Sequence, residues 1–121
     1  MELGIGHHGE PGIKVVPLAS AAQMAEEMLN IILPDYPFER GDEVDVLVSG
    51  LGATPVQELY VYYNEVDKLL GEKGINVHRS YVGNYFTSLE MMGVTLTMMK
   101  LDEELKKLMD APAYSMGFKQ R

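Results

Sequence analysis

Cysteine and tryptophan are both absent from this 121-residue chain. Without thiols there is no disulfide and no thiolate metal site, so the fold must hold by packing alone. A single domain of this size can do so, burying roughly two-thirds of its unfolded surface. Long apolar runs are missing too. None approaches the ~20 residues that cross a bilayer, and no charged, apolar and small-residue series opens the chain as in a signal peptide. Basic residues are scarce: 10 Lys and Arg stand against 18 Asp and Glu, and Arg40 is the only basic residue between Glu26 and Asp67. A nucleic-acid footprint needs clustered positive charge, so that class is excluded. These absences leave an acidic, soluble, cytoplasmic single domain over residues 1–121, with no membrane and no nucleic-acid partner.

Glycine, by contrast, is concentrated near the start, in Gly4-Ile5-Gly6-His7-His8-Gly9-Glu10-Pro11-Gly12. Glycines let the backbone approach a ligand, and Pro11 fixes its own φ and biases Glu10 towards an extended conformation. The loop presents two imidazoles and a carboxylate. If it is extended, alternation puts His8 and Glu10 on one face and His7 on the other. A neutral imidazole oriented by a carboxylate is a nucleophile or general base. Two plainer readings remain open: His8 as an ordinary hydrogen-bonded loop histidine, and Glu10 as a cap on the amides of its own turn. Gly4-x-Gly6-x-x-Gly9 also matches the dinucleotide fingerprint literally. The context fails, because only three residues precede it and Gly9 leads into Glu10-Pro11-Gly12 instead of a helix. A metal site is not expected: adjacent histidines on a strand diverge, there is no HExxH, and distant ligands such as His78 would be needed.

The rest of the chain mixes helical and strand periods. Residues 1–3 read as a strand entering the histidine turn, with Ile13 to Val16 extended after it. Ser20 can cap a helix running to about Leu33, with Ala21, Met24, Ala25, Met28, Ile31 and Ile32 on its apolar face, and Pro34 and Pro37 should end it. Val44 to Val48 reads as a buried strand. Thr54-Pro55-Val56-Gln57 reads as a capping box, opening a helix on Val56, Leu59, Tyr63, Val66 and Leu70 that runs to Gly74. Ile75 to Val82 suits a strand. Tyr85 to Glu90 and Val94 to Lys100 read as a hairpin around Met92-Gly93. Asp102 to Met109 is a short helix with charges suited to its dipole, and the tail to Arg121 lacks pattern. The fold class expected is α+β, or a two-layer α/β sandwich, with a mixed sheet of about five or six strands, two long helices and one short C-terminal helix.

Gly50-Leu51-Gly52-Ala53-Thr54-Pro55 leads into a helix N-terminus, where amides favour anions. It lacks the GK[ST] of a P-loop. Gly50, Gly52 and Thr54 therefore form either a tight strand-to-helix turn or a loop that positions an anion or the histidine segment. The nine methionines read as core and interface filler.

GHHGEPG closely resembles the GIHGEPG segment of the substrate-binding subunit of dihydroxyacetone (glycerone) kinases. Leu47–Tyr60, His78–Gly93 and Lys100–Pro112 resemble further landmarks of that family, in the same order. The resemblance implies the C-terminal, substrate-carrying domain, with the family's N-terminal domain unmatched. It implies that His8 attaches dihydroxyacetone covalently as a hemiaminal, that Glu10 can orient it, and that Gly6, Gly9, Pro11 and Gly12 shape the substrate loop. No cofactor is expected in this domain. ADP or ATP would sit on a nucleotide-carrying partner subunit or domain, with the phosphotransferase system or ATP as the phosphoryl source. The domain alone should be inactive as a kinase, and a homo-oligomer is expected. Two departures stand out: His7 replaces an aliphatic residue, and Ser49 replaces an asparagine. A non-catalytic, ligand-sensing or regulatory paralogue of the same fold is the rival reading.

Overall fold

The computed structural model describes residues 1–121. At its centre lies a mixed sheet of three strands. β3 (Glu43–Gly52) is the middle strand, parallel to β4 (Asn76–Gly83) and antiparallel to β5 (Met92–Leu101). Two short antiparallel ribbons flank it: β1 (Glu2–Leu3) with β2 (Lys14–Val15), and β6 (Ala113–Tyr114) with β7 (Lys119–Gln120). The α+β class and mixed sheet match the sequence expectation, with the strands divided among three sheets. No helix is long and apolar enough to cross a membrane.

The β-branched face of β3 sets the core. Val44, Val46 and Val48 point one way under helices α1 (Ala21–Asp35) and α2 (Val56–Glu72), and all three are fully buried. Ala25 and Leu29 of α1 meet Leu59, Tyr62, Val66 and Leu70 of α2, with Met24, Met28 and Ile32 alongside. That is the apolar stripe of an amphipathic helix pair. On α2 the buried position is Tyr62 and Tyr63 lies at the edge, while Val56 is exposed.

Several local expectations change. α1 is capped reciprocally by Ser20 and Gln23, and it runs through Pro34 to Asp35. A proline in the last turn removes only a terminal backbone bond, so the helix tolerates it. α2 has Pro55 at its N-cap, without a side-chain cap. The Thr54 hydroxyl instead donates to the Gly93 carbonyl at 2.9 Å, tying the turn to β5. Residues 84–91 form a loop and not a hairpin strand; the extended run begins at Met92, and the Tyr85 and Phe86 backbone groups bond to Ser49 instead of to β5. α3 (Glu103–Met109) is capped by Asp102, whose carboxylate accepts from Leu105 N–H at 2.7 Å. The tail, which showed no pattern, closes as the β6–β7 ribbon. Gln120 holds it by donating to the Met109 and Ala111 carbonyls and accepting from the Tyr81 hydroxyl.

The other face of the sheet carries α3 and that ribbon. Between them lies an apolar cavity of about 430 Å³, bordered by Tyr81, Tyr85, Met99 and Phe118. Asp45 faces this side and is 4% exposed; its Oδ1 accepts from Arg79 N–H at 2.9 Å, and its Oδ2 has no partner. Burial pushes its carboxyl above the ordinary range.

Candidate functional site

The C-terminal ends of the parallel pair β3 and β4 lie side by side, the place where open α/β sheets bind ligands. Two loops leave from there, residues 53–55 after β3 and 84–91 after β4. They are stitched together: Gly52 N–H donates to Thr87 Oγ1 at 2.9 Å and Ala53 N–H to the Met91 carbonyl at 2.8 Å. Beneath them Ser49 is fully buried. Its hydroxyl accepts from Tyr85 N–H at 3.0 Å and Phe86 N–H at 3.1 Å, and donates to the Phe86 carbonyl at 3.2 Å.

The histidine loop joins this group from the β1–β2 ribbon. Its ends are fixed by the ribbon, by Gly12 N–H donating to Glu2 Oε1, and by Lys14 paired with Glu27 of α1 at 2.6 Å. Between them the chain closes on itself: Gly6 N–H donates to the Glu10 carbonyl at 3.0 Å and Gly9 N–H to that of Gly6 at 3.2 Å. His7 and His8 occupy the turn so formed, so the backbone is folded where strand alternation assumed it extended. Gly9 sits at φ 85°, which suits only glycine, and a Cβ on Gly6 would collide with the Glu10 carboxylate.

The two imidazoles still diverge. His7 packs on Phe86, ring centroids 4.1 Å apart, which brings the histidine loop against the 84–91 loop. His8 stands free at the tip, its side chain 86% exposed. Glu10 Oε2 accepts from His8 N–H at 3.1 Å, while Oε1 lies 3.8 Å from His8 Nδ1. Of the two roles left open for Glu10, the amide cap is formed. The ring contact is a charge-range approach longer than a hydrogen bond. Gly6, Gly9, Pro11 and Gly12 all belong to this closed loop; Gly52 is linked to the 84–91 loop that His7 packs on, through Thr87, whereas Thr54 is tied to Gly93 and Gly50 lies within β3.

His78 lies elsewhere, its Nε2 2.8 Å from Asp110 Oδ1, to which Arg79 Nε also donates at 2.6 Å. No three His, Asp or Glu side chains are grouped to hold a metal. Sequence reasoning missed Phe86 and Asp45. Asp45 carried a usable signal, an acid inside the buried run Val44-Asp45-Val46, whereas Phe86 looked like one more apolar strand residue.

Comparison with known proteins bears on this geometry. The sequence profile of the Dak1 domain matches residues 1–117. A dihydroxyacetone-binding subunit, DhaK, of a PTS-dependent dihydroxyacetone kinase from Listeria innocua is 42% identical over 119 residues, covering 98% of this chain and 36% of that protein. An L-erythrulose kinase from Pectobacterium atrosepticum is 39% identical over 124 residues, covering 99% of this chain and 21% of that one. Among solved structures, a dihydroxyacetone kinase operon co-activator superposes with a TM-score of 0.82 at 32% identity, over 90% of this chain and 34% of the other. The chain therefore spans about a third of the length of the first relative and about a fifth of the second.

Proposed function

The chain belongs to the Dak1 domain family, and we propose that it holds dihydroxyacetone, or a similarly short hydroxyketone, covalently on His8 for phosphoryl transfer by a nucleotide-carrying partner. The observation that carries this reading is the free imidazole of His8 at the tip of a tightly closed loop, beside a carboxylate. With the ring proton on Nδ1, Nε2 adds its lone pair to the ketone carbon. The C=O pair moves to oxygen, which takes up a proton, and the ring releases its Nδ1 proton towards Glu10, 3.8 Å away. No group leaves; the product is a hemiaminal. An alcohol such as glycerol has no electrophilic carbon and is rejected chemically. Restraint of the acceptor is a large part of phosphoryl-transfer catalysis. ADP or ATP belongs to the partner in this reading, and Gly50, Gly52 and Thr54 support the loops that frame the acceptor.

The test is a pair of substitutions read by ketone binding. In a complete subunit, His8→Ala should abolish the adduct, while His7→Ile should retain it. Loss in His7→Ile with retention in His8→Ala would reverse the assignment. A regulatory reading is favoured by one observation, the likeness to an operon co-activator. It predicts that His8 binds the ketone while no donor subunit ever phosphorylates it.

A further inference from the structure

His7 and Phe86 have no part in the chemistry above, yet they make the one aromatic contact between the histidine loop and the loop after β4. Phe86 is 58% exposed, so its ring contributes little to the core. Its backbone, however, is tied inward: both its N–H and its carbonyl bond to the buried Ser49 hydroxyl. A rigid backbone beneath an exposed ring makes a platform, and the ring that rests on it is the immediate neighbour of His8. The two glycines flanking the histidine pair give the loop freedom to move unless something outside it fixes its position.

We infer that Phe86 is a positioning residue: Ser49 fixes its backbone, its ring seats His7, and that seat holds the His8 imidazole in place to receive a ketone. The inference deepens the carrier reading and rests on it for the last step, though not for the seating of the loop.

The experiment compares wild type with Phe86→Ala and Phe86→Tyr by backbone 15N relaxation, His7 ring proton shifts, and titration with dihydroxyacetone. Phe86→Ala should keep the melting temperature of wild type, abolish the ring-current shift on His7 and mobilise residues 6–10. It should weaken ketone binding about three- to tenfold, the worth of one aromatic contact. Phe86→Tyr should restore all three readouts. An equally ordered loop in Phe86→Ala, or ketone binding unchanged after the loop has loosened, would overturn the inference. If wild type binds no ketone at all, the carrier reading fails, and the relaxation data still decide whether Phe86 seats the loop.

Discussion

Ser49 shows how much one hydroxyl can organise. Three backbone groups of Tyr85 and Phe86 meet its buried oxygen. Ser49→Ala should cost about 1–3 kcal/mol in urea unfolding, because two amides are left without partners. Ser49→Ala within 0.3 kcal/mol of wild type, a margin set at roughly the usual additivity error, would mean that water replaces the hydroxyl. The sequence marked Ser49 only as a departure from a resemblance. Nothing in residues 84–91 announces which backbone groups a buried serine will bind. The histidine segment was legible as a presenting loop and a turn from its glycines, but its closure was not, since the Gly6–Glu10 bond depends on where the ribbon brings the chain back.

At the scale of elements, both long helices were legible because their apolar stripes repeat at helical spacing regardless of context. Their ends were less so. Thr54 had two competing bonds, its own helix or Gly93, and tertiary contact with β5 decided. The same competition misassigned residues 85–90: their aromatic residues suit a strand, but the buried Ser49 hydroxyl takes the backbone groups of Tyr85 and Phe86 that a ladder would use. Leu59 tests the packing that results. It is buried beneath Gly50, and Leu59→Ala should lower stability by about 2–5 kcal/mol in denaturant unfolding. At the opposite face Asp110 pins the end of α3 to β4. Its hydrogen bonds from Arg79 and then His78 hold the carboxyl below its ordinary 3.8. A depressed carboxyl stabilises the fold above that unfolded value and stops doing so as pH falls through the folded one. Asp110→Asn should therefore flatten the loss of stability below pH 3.8, as followed by circular dichroism; an unchanged slope would show that the pair contributes nothing.

For the whole molecule, the class and the resemblance were legible together, while the particular side chains left exposed were not. Val15, Leu18, Phe86, Leu89, Met92 and Met116 are all exposed, which favours burial against another surface. Sedimentation at micromolar concentration should show self-association, and a single monomeric species would contradict it. The chain alone should also show no turnover with ATP or phosphoenolpyruvate, having no phosphate-binding lysine motif of its own; measurable product would refute that.

The central claim is a bond between one ring nitrogen and one carbon. NMR of the 15N-labelled chain with dihydroxyacetone labelled at its carbonyl carbon observes that bond directly. The account predicts that the labelled carbon leaves the ketone region and gains a one-bond coupling to a ring nitrogen of His8. A carbon that stays a ketone at saturating protein, or that couples to His7, would contradict it.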